Sequence, residues 1–586
     1  MIFELPQIFA ICVAYLLIIF GIASATERGW IPDAVVRHPI TYVLSLGIFA
    51  SAWSFYGVVD LAQQSGYGAL AYYLGTGALF LFAPITLAPL SQLAQRYQIH
   101  SLADLLVFRY HSQAAGALAT MCMLLGLLPL LALQLQAVAD TLHILTARGE
   151  PPLAADFTFG FTFKEAMAMG FCALLAIFTL LFGSNREHHR GLITAMAFES
   201  LLKVCAFCAI GLLALYGVFD GLDGLDRWLQ ANPQQLQQLH ASEGSSHTLL
   251  VVFLATAVAM PHIFHMSVVE NPQQHASHTV SWAFPLFLLF MSLPLFPILW
   301  AGEALGVALP TQYFTLGIPL AMDSPALTIL AFLGGLSAAT GALIAITLAL
   351  STMVVNHWLL PLAGLGADEE QPGKADLYSH LLWLRRATIA GIFTAGYLFY
   401  LLLNNHYSLT NLALMAFIET LQFLPGIYAV AYWSRGNRRG LIAGLGAGTG
   451  VWTLGLLLPV LSGANYLQLG DFTLPLGVEH WHSVTIVSLS LNILAFVLVS
   501  VVTTQNEEER YSAELCGDDE LSQPVRLALA AHSAEEFRSR LAKPLGQATA
   551  DEEVSRALRE LSLGDTERRP YALRQLRDKL EANLSG

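Results

Sequence analysis

The chain has 586 residues, of which 55% are hydrophobic and only 12% charged, with a mean hydropathy of +0.58 and a formal net charge of −14. A water-soluble domain carries roughly 25% charged residues, so the composition excludes one, and the negative charge leaves no basic face for nucleic acid. Five of the six cysteines (Cys12, Cys122, Cys172, Cys205, Cys208) fall in apolar segments and Cys516 in a polar tail, which excludes a disulfide framework.

A bilayer core is ~30 Å thick and needs ~20 mostly apolar residues per crossing helix. Thirteen segments meet that need: about 5–24, 41–62, 68–93, 113–144, 164–184, 191–217, 247–268, 279–301, 326–356, 382–404, 409–433, 438–461 and 482–502. The first starts after Glu4 with no basic stretch before it, which predicts a retained helix and not a cleaved signal peptide. Alternate gaps hold Arg28, Arg37, Arg96, Arg109, Arg186, Arg190, Lys374, Arg385, Arg386, Arg435, Arg438 and Arg439, whereas the other gaps hold only Arg148, Lys164 and Arg227. Positive charge stays in the cytoplasm during insertion. The expectation is therefore a periplasmic N-terminus, a cytoplasmic C-terminus and residence in a bacterial inner membrane.

Polar groups within such segments are costly and are the first functional candidates. Segment 41–62 and its continuation, SLGIFASAWSFYGVVDLAQQSGYGALAYYLG, mix small residues, aromatics, Ser54 and Asp60. They suit either a helix that unwinds midway to expose carbonyls or a closely packed one. Residues 99–110 are too short to cross and predict an interfacial helix with Ser101 as its N-cap. Glu199 and Lys203 stand four residues apart and read as a structural pair. Residues 218–246 form a polar, helical outer insert. Segment 247–268 ends in VAMPHIFHM, where Pro261 removes a backbone hydrogen bond and His262 and His265 share nearly one face. That is a second candidate break or a kink at the membrane surface. In segment 326–356, Ser337 and Thr340 offer hard oxygen ligands for a small cation, or bond back to their own helix. Glu419 and Gln422 lie deep in segment 409–433, where a carboxylate could carry a proton or meet a cationic solute. No P-loop, metal-spaced Cys/His cluster or nucleophile elbow is present, so no enzyme activity is expected.

Composition changes at Thr504. Residues 505–586 carry 17 acidic and 12 basic residues and no crossing segment. Ser533 and Thr549 precede early acids as helix N-caps. Leu527, Leu529, Phe537, Leu541, Val554, Leu558, Leu561, Leu573, Leu576 and Leu580 recur at helical spacing, predicting a small bundle of three or four helices.

The stretches SAWSFYGVVDLAQQSGYGA, SLADLLVFRYH, MPHIFHM, GGLSAAT with LSTMVVNHWLLP, and QFLPGIYAVAYW resemble the solute:sodium symporter family over residues 5–502. With the tail, which resembles a STAC domain, they are similar to the N-terminal part of CbrA-type sensor histidine kinases. The resemblance implies an all-α membrane protein whose 13 transmembrane helices hold a LeuT-like 5+5 inverted-repeat core, over residues 1–504, followed by a small cytoplasmic helical domain over 505–586. It implies that Gly47 and Ala50 offer carbonyls, and Ser337 and Thr340 hydroxyls, to a sodium ion. Gly341 and Ala342 stand where the family pattern has another hydroxyl, so Na+ and H+ both remain candidates for the coupling ion, with no other cofactor. Trp53, Ser54, Tyr56, Thr76, Gln134, His262 and Glu419 are the expected solute contacts. The implied function is uptake or sensing of an amino acid, L-histidine above all. Residues 505–586 contain no phospho-acceptor His box or ATP lid. The expectation is a sensor without its PAS and kinase domains, whose full-length form addresses a response regulator; a solute receptor without transport is the alternative.

Overall fold

A computed structural model describes residues 3–146, 162–182, 190–240, 243–269, 274–362, 374–403, 407–463, 466–469, 472–516, 533–545, 547–561, 563–564, 576 and 579–580. Arg148, Arg186, Leu527, Leu529, Leu573 and most of the acidic inner loop lie outside the described residues. The chain forms two compact units, 1–517 and 518–586.

The larger unit opens with α1 (Leu5–Glu27) and a first interrupted helix, α2 (Pro39–Leu46) and α3 (Val58–Ser65). There follow α4 (Ala71–Leu81), α5 (Ala88–Tyr97), α6 (Leu102–Tyr110), α7 (Gln113–Thr146), α8 (Phe163–Phe182) and α9 (Arg190–Leu212). The polar insert folds as α10 (Leu222–Ala231) and α11 (Pro233–His240). A second interrupted helix, α12 (Glu243–Ala259) with the short α13 (Pro261–Phe264), opens the next half. It continues through α14 (Gln274–Ser292), α15 (Leu295–Ala304), α16 (Phe314–Ala321), α17 (Pro325–Val354), α18 (Lys374–Leu403), α19 (Leu409–Leu421) and α20 (Leu424–Tyr432). Last come α21 (Arg438–Trp452), a hairpin of β1 (Tyr466–Leu469) and β2 (Phe472–Pro475) in antiparallel register, α22 (Trp481–Val502) and α23 (Glu507–Cys516).

Among the described residues, ten helices are long and apolar enough to cross a membrane, or up to twelve if each of two bent pairs makes one span. The remaining expected crossing, 68–93, is divided. Its first part follows directly on the first interrupted helix, and prolines at the starts of Ala83–Thr86 and α5 cut the rest into short pieces, because proline cannot donate to the preceding turn. Gly66, at φ +53, turns the chain from α3 toward α4, where a Cβ would lie 2.3 Å from the Leu239 carbonyl. The chain is a multi-pass membrane protein.

Ser101 caps α6 by accepting from the Asp104 amide, as its spacing predicts. On α21, Gly440, Gly444 and Gly448 form a stripe against α22, where Cβ atoms would press on Ser500 and Asn492, and at Gly448 also on Gln422 at the end of α19. Such small residues let membrane helices approach closely, and Asn492 of α22 bonds to Gln422, at the end of α19, at 2.8 and 3.0 Å.

Composition places the end of the membrane domain at 504, but packing extends it to 517. Glu509 on α23 is buried and accepts from the Arg438 and Asn506 amides at 3.0 and 2.9 Å, which ties the first tail helix to the membrane unit. In the second unit, α24 (Ala534–Leu545) and α25 (Gln547–Glu560) enclose Phe537, Leu541, Val554 and Leu558, with Leu576 and Leu580 against them. Ser533 caps α24 through the Glu536 amide. Thr549 is no cap, since α25 already begins at Gln547.

Candidate functional site

Among the described residues, two membrane helices are broken by a sharp bend. The first turns by 77° between Phe49 and Trp53, and the second by 52° around Met260. At the first, Ala50 leaves helical geometry (φ −78, ψ 83), and the freed Ala52 amide donates to Gln134 Oε1 of α7 at 3.0 Å. Ser54 Oγ donates to the Ser51 carbonyl. Beyond the break the backbone widens into a π turn over Trp53–Gly57. Thr315 and Thr410 donate to the carbonyls of Phe55 and Gly57 there. Such an interruption is tolerated in lipid only where neighbouring groups satisfy the backbone.

The second break is driven by Pro261, which takes the first position of α13. After it, a π turn over His265–Val269 is held from the other half of the chain. Tyr42 of α2 donates to the Met266 carbonyl at 2.9 Å, and Ser91 of α5 to the Val268 carbonyl at 3.3 Å. The two interrupted helices are therefore bound to one another by side chain to backbone bonds.

An aromatic cluster fills the angle beyond the first break. The Trp53 ring lies 5.0 Å from Tyr72, 5.1 Å from Phe417 and 5.6 Å from Phe253, separations at which ring pairs attract. Thr76 is one turn along α4 from Tyr72 and hence on its face. Trp53 Nε1, Tyr73 Oη and Thr76 Oγ1 are buried and make no hydrogen bond. A buried polar group without a partner is expensive, so three such groups close to one aromatic cluster mark it as a binding region.

Behind the break is a second polar cluster with the opposite character. Lys203 of α9 is fully buried, and its Nζ donates to the carbonyls of Ala50 at 2.8 Å and Gly47 at 3.2 Å. One turn earlier, Glu199 Oε1 accepts from Tyr15 of α1 at 2.6 Å and from Thr340 of α17 at 2.7 Å. Ser337 Oγ donates to the Gly334 carbonyl at 2.8 Å. Gly47, Ala50, Ser337 and Thr340 thus meet around α9, but the Gly47 and Ala50 carbonyls already accept from Lys203, Thr340 Oγ1 already donates to Glu199, and Ser337 Oγ is turned to the Gly334 carbonyl. As placed, they do not fit a free sodium ion. Glu199 and Lys203, read from the sequence as a simple pair, each hold partners on other helices. Two ionisable residues midway along an apolar segment are the signal that marks them as functional candidates.

The expected solute contacts separate. Trp53 and Thr76 belong to the aromatic region, and Gln134 and Ser54 hold the break. Tyr56 points elsewhere: its hydroxyl reaches the Ala331 carbonyl at 3.4 Å and its ring packs 5.7 Å from Tyr313. A Cβ on Gly335 of α17 would strike that hydroxyl. His262 is buried beyond the second break, with Nδ1 unbonded. Glu419 is directed away from Trp53, onto Thr449 of α21, which donates to Oε1 at 2.7 Å, and onto Gly126 of α7. Phe253, Tyr72, Tyr73 and Phe417 were not among the expected contacts. Aromatic residues in apolar helices read as packing until the fold brings them together.

A solved Na+-coupled sialic acid symporter in its substrate-bound outward-open state matches over 85% of this chain and 98% of its own, at 14% identity and a TM-score of 0.58. A nucleobase-cation-symport-1 family transporter in a closed conformation, with bromovinylhydantoin bound, matches over 81% of this chain and 96% of its own, at 12% identity and a TM-score of 0.45. No family model and no curated protein matches. The fold is the LeuT-like arrangement of five plus five helices, each half beginning with an interrupted helix.

Proposed function

We propose that the chain is a secondary transporter and sensor module that takes up an amino acid, L-histidine by preference, by alternating access across a bacterial inner membrane. The observation that carries this reading is the aromatic cluster at the first break with unbonded Trp53 Nε1, Tyr73 and Thr76 beside it. Those donors suit a carboxylate, and the rings offer faces to an imidazole. The similarity of fold to a Na+-coupled symporter supports transport, and the resemblance to CbrA-type sensors supports both histidine and a signalling role. On this reading the N-terminus is periplasmic, residues 518–586 are cytoplasmic, and PAS, kinase and response-regulator partners act beyond them.

The test is uptake by the full chain in proteoliposomes. Labelled L-histidine should exchange against unlabelled L-histidine inside the vesicles and accumulate under an imposed ion gradient. Saturable binding with neither exchange nor accumulation would favour a receptor instead. Absence of binding across a panel of amino acids would remove the reading altogether.

A further inference from the structure

The tail helix α23 is seated without a large apolar anchor. Its buried face is Glu509, Ser512, Ala513 and Cys516, and burial of such small or polar side chains gives little hydrophobic stabilisation. Polar bonds hold it instead. Gln505 Nε2, just before the helix, donates to the Ser434 and Gly436 carbonyls at 2.7 and 2.9 Å. Glu509 accepts from the Arg438 amide, and Glu508 pairs with His111 at 3.1 Å on the exposed edge. Beneath the seat lies Arg109 of α6, the helix on which α23 packs. Arg109 is fully buried, and its charge reaches Cys516. Nη2 donates to the Trp433 and Ser434 carbonyls at 3.1 and 3.0 Å, and the Tyr110 ring, 5.0 Å away, offers a π face but no charge. Nε and Nη1 make no hydrogen bond. Among the described residues no carboxylate pairs with this guanidinium, because the acids of α23 go elsewhere: Glu508 to His111, Glu509 to Arg438 and Glu514 to Arg510. A buried charge without a counter-charge is costly, so the seated helix leaves a demand for an anion unmet.

We propose that α23 is a releasable helix, and that its vacated seat takes the phosphate group of an anionic phospholipid through Arg109. The position suits that ligand. Val501 and Val502, the last residues of α22, are exposed apolar side chains, so the seat, a few residues beyond them, lies at the level of lipid headgroups. Arg435 and Arg439 are exposed on the loop and helix start beside it, and clusters of Arg just beyond a membrane span attract anionic lipid. A guanidinium binds phosphate oxygens through strong charge-assisted hydrogen bonds, and Arg109 has Nε and Nη1 unbonded to make them. Release of the helix and arrival of the phosphate are one exchange: Glu509 gives up the Arg438 amide, and Arg109 gains its counter-charge. As α23 is the last helix before residue 518, where the second unit begins, the exchange acts on the chain that leads into the tail.

The inference shares with the transport reading only the cytoplasmic placement of α23, and its experiment measures neither uptake nor L-histidine binding, so the two stand or fall separately. The full chain is placed in nanodiscs of phosphatidylcholine, of phosphatidylcholine with phosphatidylglycerol, and of phosphatidylcholine with inorganic phosphate in a buffer of matched ionic strength. Release is read as amide hydrogen exchange over 507–516 and as the rate of thiol labelling at Cys516, which is buried while the helix is seated. Phosphatidylglycerol should raise both several-fold and leave exchange in α22 unchanged. Arg109→Gln should abolish that response, whereas Glu509→Ala should raise exchange over 507–516 in every bilayer. Equal rates in the two lipids, or an Arg109→Gln protein that responds as wild type does, overturn the proposal. An equal response to inorganic phosphate also overturns it, by assigning the site to a free anion. If Arg109→Gln fails to fold, the comparison of wild type in the two lipids still decides.

Discussion

Two of the buried polar regions in the membrane unit are built on contrary terms. Around Lys203 and Glu199, the ammonium, Tyr15 and Thr340 donate to acceptors on segments far apart in the chain, and Ser200 Oγ, facing Gly47, is left unbonded. Around Trp53, a few residues along the same broken helix, the rings are packed but Trp53 Nε1, Tyr73 Oη and Thr76 Oγ1 have no bond. A satisfied buried network specifies a unique geometry, whereas unsatisfied groups are costly to keep. The contrast assigns the first region to the chain's own conformation and the second to something that arrives from outside.

Removing one charge should break the contrast most severely. Glu199→Ala leaves a buried ammonium without its counter-charge, a change that costs about 3–5 kcal/mol. The expected result is a marked fall in the melting temperature of the detergent-solubilised protein, with Glu199→Gln milder because it still accepts from Tyr15 and Thr340. Unaltered melting of Glu199→Ala would show that Lys203 needs no partner there.

A matched pair of substitutions sharpens the comparison at constant chemistry. Thr340→Val removes a donor from Glu199 and should cost about 1–2 kcal/mol of stability. Thr76→Val removes a hydroxyl that bonds to nothing, so stability should hold or rise. Its effect should appear in L-histidine affinity, weakened about 3–10-fold if the hydroxyl meets solute, the equivalent of about 0.5–1.5 kcal/mol. Melting curves and binding titrations on both variants give the answer. A Thr76→Val protein that is less stable but binds normally would exchange the roles assigned to the two regions.

Much of the frame was legible in the sequence, because periodicity and proline act locally. The apolar segments, the break at Pro261, the interfacial helix after Ser101 and the helix start at Ser533 all follow from neighbours a few residues apart. What was not legible depends on partners distant along the chain. Glu199 and Lys203 suggest a pair by spacing alone; the competing partners, Tyr15, Thr340, Gly47 and Ala50, come from three other segments. The composition change at Thr504 marks where the apolar segments end, but Glu509, buried against Arg438, carries the packed unit further. Tyr56 and Trp53 differ by three positions and were both expected at solute, yet the π turn sends them to different neighbours.

The smallest expected effect concerns Glu419, the residue whose depth in the membrane made it a natural solute ligand. Depth does not determine direction. Phe417 touches Trp53 and Phe253, and two residues further along a helix of 3.6 residues per turn is about 200° around the axis. Glu419 accordingly faces Thr449 and Gly126, and shares no partner with the Trp53 cluster. Sites without common partners act independently to within about 0.3–0.5 kcal/mol. Glu419→Gln, which keeps an acceptor for Thr449, should therefore leave L-histidine affinity within about twofold of wild type. A tenfold loss in the same titration would return Glu419 to the solute and show that the two sides of α19 are coupled.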